Sequence, residues 1–255
     1  MKKKTVTSVA ALAAIASGLV LAPTAFAGGA SHGDAELHAM LSPVPTSKVT
    51  GSGTAMVHLK GNQATVTIKA QGLLAGAPHA QHFHIAGKGQ CPPASAAKMH
   101  NGHLSLNTTD GLPFYGKIGA SLTTSGDTGA DHSALAVERF PMGASYTYQR
   151  TITVDDETAK ELRAENAVVV VHGIDFNGNG KYDNVLGASD LDPKLPAEAT
   201  DPALCGPLKM APAGAVAGGM GGTQNGDTIA LSAAGGLLAA AGGALYLRRR
   251  SSRQS

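Results

Sequence analysis

Tryptophan is absent from the 255 residues, and aromatic side chains of all kinds make up only 4%. Proteins that grip single-stranded nucleic acid stack bases on aromatic rings, and that platform is missing. Charge is scarce at 15%, and the positive charge collects at the two ends. Lys2, Lys3, Lys4, Arg248, Arg249, Arg250 and Arg253 supply seven of the 20 basic residues. The remaining 13 face 18 acidic residues, so the chain between the basic ends carries −5. That excludes the basic footprint of a nucleic-acid partner and removes net charge as a means of steering anions. No repeat of fixed period, phosphate-cradling glycine loop or nucleophile elbow is present. Ser95-Ala-Ala-Lys98 lacks the companion motifs of a serine acyl-enzyme and reads as loop. Hydrophobic residues at 43% rule out wholesale disorder.

The ends read as an address. Residues 1–27 combine a lysine-rich start, an apolar run and Ala25-Phe26-Ala27, the pattern of an export signal with cleavage before Gly28. Residues 28–48 are expected to be a flexible segment, 49–210 a β domain and 211–228 a Gly/Ala-rich stalk. Residues 229–247, bounded by Ile229 and Leu247, carry no charge and are long enough to span a bilayer. Arg248-Arg249-Arg250 opens the basic tail, residues 248–255, and predicts a cytoplasmic C-terminus with the domain outside. The tail resembles those of many Gram-positive surface proteins, without an LPxTG-type sorting motif. The membrane is therefore the expected partner, and nucleic acid is not.

Residues 51–60 and 63–70 alternate as strands around Gly61-Asn62, a hairpin signal in reversed order. Further strands are expected at 79–86, 116–123, 134–140, 145–154 and 167–172, with a short one after Cys205. A helix is expected at 156–164 behind an Asp155 cap. Short strands with Gly and Pro punctuation predict an all-β sandwich or barrel. Two cysteines in an exported chain predict one disulfide, Cys91–Cys205.

Histidine carries the chemistry. In His79-Ala-Gln-His82-Phe-His84, alternation along a strand sends His82 and His84 to one face. His172 ends the apolar run Val168-Val169-Val170-Val171 and is a third candidate ligand. Imidazole suits copper, zinc, iron and nickel. His32, His38, His58 and His132 stand singly on loops or a polar strand face and read as solvated. Asp175, Asn177, Asn179 and Asp183 occupy positions 1, 3, 5 and 9 of a calcium-type loop with Gly180 at position 6. Position 12, where a bidentate Glu belongs, is Leu186. Calcium is a candidate ligand on that spacing, with an Asn/Gly-rich turn as the alternative.

The H-x-x-H-x-H strand, Cys91, the Val-Val-His ending at His172 and Cys205-Gly206 together resemble the copper/zinc superoxide dismutase superfamily, over residues 50–210. The resemblance implies a flattened Greek-key barrel with a Cys91–Cys205 disulfide. It makes His82, His84 and His172 copper ligands, His79 a supporting residue, and superoxide or copper ions the partners. The family's bridging His and zinc ligands follow the first Cys, where this chain has only His100, His103 and Asp110. His100 or His103 would complete a copper site, but a full zinc site is not expected. Pro202 stands where the family has its substrate-guiding Arg, three residues before the second Cys, so the resemblance implies copper binding more than dismutation. The early strands followed by H-x-H also resemble CHRD domains, which would imply a non-catalytic extracellular module.

Overall fold

Residues 34–211 are described by the computed structural model, and the statements below concern them alone. The export signal, most of the stalk, the apolar span and the basic tail lie outside these residues. No described helix is long and apolar enough to cross a membrane.

The chain is mostly β. Its strands are β1 (Asp34–Pro43), β2 (Ser52–Lys60), β3 (Gln63–Gln71), β4 (Gln81–Ala86), β5 (Lys98–His100), β6 (His103–Ser105), β7 (Gly116–Ser121), β8 (Ser145–Thr153), β9 (Val168–His172), β10 (Pro202–Pro207) and β11 (Lys209–Met210). Four short helices interrupt them: α1 (Thr108–Tyr115), α2 (Ala130–Ser133), α3 (Asp156–Arg163) and α4 (Ala197–Thr200). Nine strands form one antiparallel half-barrel sheet in the order β7-β4-β9-β10-β1-β2-β3-β8, with β11 added to β1; β5 and β6 make a separate hairpin. The open edges are β7 and β8, and Arg150 of β8 donates to the Thr123 carbonyl just beyond β7.

Alternation explains the pairing. Val57 faces Val66 and Leu59 faces Ala64 across β2 and β3, all turned into the main core. The second half of α3 behaves as its sequence predicts, with Ala159 and Leu162 buried and the Asp155 carboxylate accepting from the Thr158 amide. β9 is buried along its whole length because it separates two apolar layers. Val169 and Val171 join the main core, while Val168 and Val170 join a smaller cluster with Val44, Leu106, Tyr115 and Cys205. The continuous apolar run is what such a two-sided strand requires.

Three sequence expectations are corrected. Residues 34–43 of the supposed flexible segment form β1, held between β10 and β2. Ala35, Leu37, Ala39 and Leu41 alternate into the core, so burial fixes this strand well before residue 49. Residues 134–140 form no strand; a 3-10 turn at Val137–Arg139 follows α2. The segment's amides bond locally, Ala136 to the Ser133 carbonyl and Arg139 to the Ala136 carbonyl, so it turns instead of pairing, while the Arg139 guanidinium reaches the carbonyls of Ser125 and Asp127. The strand expected after Cys205 starts already at Pro202, so Cys205 lies within β10 and does not open it.

Candidate metal centre

His82 and His84 lie on the β4 face that looks away from the main core, opposite Val170 and Val168 of β9. His172 follows Val168 and Val170 on the same face, by the strand's two-residue period. One nitrogen from each of His82, His84 and His172 lies within 4.8 Å of the other two. All three residues are at least 97% buried.

The other ring nitrogens are held by backbone carbonyls. His82 Nε2 meets the Ala134 carbonyl at 3.1 Å, His84 Nδ1 the Gly116 carbonyl at 2.8 Å, and His172 Nδ1 the Thr200 carbonyl at 2.6 Å. A carbonyl only accepts, so each of these nitrogens carries the proton. His82 Nδ1, His84 Nε2 and His172 Nε2 are left as buried lone pairs without any partner. Gly116 belongs to this arrangement: it has φ +88°, and a Cβ there would collide with the Ile85 carbonyl. Only glycine brings that carbonyl to His84.

Burial keeps the triad neutral. It is the largest influence on His84, lowered to about 3 with further repulsion from His172, and on His172, lowered to about 4. Burial likewise drives His82 well below the ordinary histidine value, aided by His172 and His84. Three neutral imidazoles with converging lone pairs fit a transition-metal ion, and ring nitrogens fixed by carbonyls are the usual support for metal-bound histidine. An orphaned buried acceptor is otherwise costly, at roughly 1–3 kcal/mol each.

Two loops enclose this face. Cys91 bonds Cys205 with a Cα–Cα separation of 5.8 Å, and Cys91, Ala96 and Ala97 pack against the Val168 and Val170 cluster. On the other side, residues 122–144 bring the Ala134 carbonyl and the Phe140 ring against His82. Arg139 and Arg150 tie that segment down through the Ser125, Asp127, Thr123 and Gly126 carbonyls.

His79 sits just before β4, fully buried, with Nδ1 3.0 Å from the His172 carbonyl and Nε2 3.1 Å from the Leu74 carbonyl. That places His79 against the backbone of the third histidine. His100 and His103 do not join the group. They pair across the β5–β6 hairpin, where His100 Nε2 meets Asp110 Oδ2 at 2.6 Å and His103 packs on Phe176. Lys98 adds a 2.7 Å contact to the other oxygen of Asp110. Although burial opposes ionisation, these two partners hold the Asp110 carboxyl below its ordinary range.

The calcium-type loop binds itself. Asp175 accepts from the Asn179 and Gly180 amides, and Asp183 from Asn177, Asn179 and the Val185 amide. Sequence reasoning missed Glu198, whose buried carboxylate accepts from the Phe176 amide at 2.7 Å and the Asp183 amide at 2.6 Å. It lies on α4, too far along the chain for any local spacing to flag. Asp201 was missed as well: it is 1% exposed, neither oxygen has a partner, and burial with nearby Asp190, Asp110 and Glu198 pushes it up to about 8.

No known-family model and no curated protein matches the chain. The geometry of the triad therefore carries the functional argument.

Proposed function

We propose that this is an exported, membrane-anchored surface protein whose β domain is a superoxide dismutase-like barrel that binds copper through His82, His84 and His172. The single observation behind the reading is the set of three buried, partnerless nitrogens in rings whose second nitrogen is already held. Three imidazoles suit Cu, Zn, Fe and Ni alike, and copper is chosen among them because Cu(II) stands highest in divalent affinity. The strand order supports a Greek-key barrel, since β1-β2-β3 form a meander while β8, β9 and β10 return beside non-consecutive strands.

When bound, copper would supply one-electron redox chemistry. The chain's own residues hold and orient the imidazoles, and the two loops exclude water from them. None of them offers a superoxide anion a guide: Pro202 replaces the family's Arg, and the −5 charge repels anions. Copper holding is therefore the primary reading and dismutation the secondary one. A non-catalytic CHRD-type module is the alternative, but it gives the three orphaned nitrogens no purpose.

The test is copper stoichiometry after expression in a copper-replete, oxidising compartment. We expect about one equivalent in the wild type and its loss in His82→Ala/His84→Ala. Less than about a tenth of an equivalent in folded wild-type protein overturns the reading. For the anchor, membrane fractionation is expected to retain the full chain and to release it when residues 229–247 are removed. Full-length protein in the soluble fraction would end that part of the proposal.

A further inference from the structure

The outward face of β1 and β2 is chemically unlike the rest of the sheet's surface. On β1 the inward set Ala35, Leu37, Ala39 and Leu41 leaves Glu36, His38 and Met40 pointing out; on β2 Ala55, Val57 and Leu59 leave Thr54, Met56 and His58. The register sets His38 opposite Met56, Glu36 opposite His58 and Met40 opposite Thr54. One strand thus displays H-x-M and its antiparallel neighbour M-x-H on one face. The His38–Met56 pair lies at the centre, with Met40 and His58 diagonal to it. The next strand, β3, shows an ordinary solvent face of Gln63, Thr65, Thr67 and Lys69.

Met40 is 67% exposed and Met56 38% exposed, so both side chains are open to solvent. Direct neighbours on such a face have Cβ atoms about 5 Å apart and diagonal ones about 7–8 Å, within reach of long side chains. Glu36 Oε1 lies 3.3 Å from His38 Nε2, which orients that ring and leaves Nδ1 free. A carboxylate behind a histidine is the support that metal-ligating imidazoles commonly have.

We infer that His38, Met56 and Met40 form a surface site for Cu(I), with His58 on the far side of the pair and outside it. Thioether sulfur is soft and neutral, and it selects Cu(I) over Zn(II), Mg(II) or Ca(II). The His38 imidazole adds a donor that Cu(I) also accepts. Ligand capture needs only side-chain rotation on an exposed face, with no change in the core. The site is separate from the buried triad and does not depend on it.

The test uses the full-length protein with 13C-methyl methionine under anaerobic conditions, and Ag(I) as a redox-inert probe for Cu(I). The methyl signals of Met40 and Met56 are expected to shift with sub-stoichiometric Ag(I). Those of Met99 and Met142, which are 64% and 62% exposed, are expected to stay in place. In His38→Gln the Ag(I) needed for half of the Met56 shift should rise about tenfold or more, since the imidazole donor that Glu36 orients is lost. Equal response of all exposed methionines, no response at Met40 and Met56, or a half-saturation unchanged in His38→Gln would overturn the site. Because the methyl groups report only on their own surroundings, loss of the triad in His82→Ala/His84→Ala leaves this readout intact.

Discussion

Two places in the sequence promised a metal, and the structure treats them oppositely. The loop from Asp175 to Asp183 matches a calcium consensus at four oxygen positions, yet its carboxylates are occupied by the loop's own amides and side chains. The histidines match only a short pattern, yet three of their nitrogens are buried with nothing to bind. Residue type and spacing describe which atoms are present. The unpaired remainder, after every internal hydrogen bond is counted, describes which atoms are available. By that measure the histidine face could hold a metal ion, while the carboxylates of the Asn/Gly loop already carry internal bonds, and Glu198 holds the amides of Phe176 and Asp183.

The comparison can be broken in several ways. The largest effect is expected from Cys91→Ser/Cys205→Ser. The disulfide closes a separation of 114 residues, so its loss should cost roughly 4–5 kcal/mol in denaturant unfolding by the chain-entropy argument. It should also raise amide exchange around Ala96 and Ala97 while leaving Gly180 in the other loop as it was. Equal loosening of both regions would show that the cover is not specific to the histidine face.

Acid titration of the metal-free protein comes next. His84 and His172 are lowered to about 3 and about 4, so below about pH 6.5 the unfolded chain takes up protons that the folded chain refuses. Their contribution is fully present above about pH 6.5, and by pH 4 it should fall by roughly 3 kcal/mol per histidine. Asp201 acts with the opposite sign: raised to about 8, it favours the folded state at low pH and penalises it as pH rises from about 4 to 8. Asp201→Asn removes that compensation, so its loss of stability from pH 6.5 to 4 should be steeper than in the wild type. Urea midpoints across that range check it, and a shallower slope in the variant refutes the account.

A smaller effect is expected at Glu198. Glu198→Ala strands the amides of Phe176 and Asp183 and should cost about 1–3 kcal/mol in thermal or urea unfolding. The smallest is calcium itself: millimolar Ca(II) should leave the melting temperature unmoved, whereas a rise would reopen the loop as a site.

What the sequence disclosed followed from local periodicity. The β2–β3 hairpin, the Asp155-capped helix and the placing of His82 and His84 on one face were legible that way, and the single disulfide was legible from the cysteine count. β1 has an equally clear alternation, but its position between an export signal and the prolines at 43 and 45 made it look like a linker. Residues 134–140 misled because their alternation had no partner strand, and their backbone closes local turn bonds such as Arg139 N–H to the Ala136 carbonyl instead. The second nitrogen of each triad histidine could not be read at all. Its partners are the carbonyls of Ala134, Gly116 and Thr200, which every residue type possesses and no motif records. Glu198 and the register that joins His38 to Met56 were hidden for the same reason: both arise only when distant segments meet.

The closure of the histidine face also sets a clock. Each free nitrogen is sealed from solvent, with residues 122–144 pinned over one side by Arg139 and Arg150. An ion can therefore enter or leave only during local openings, and each 1.4 kcal/mol of opening cost slows exchange about tenfold. The residence time of a bound ion would then depend on Arg139 in the covering loop and Arg150 on β8 as much as on three imidazoles. Loosening Arg139 should hasten exchange in both directions while leaving the equilibrium affinity to the histidines.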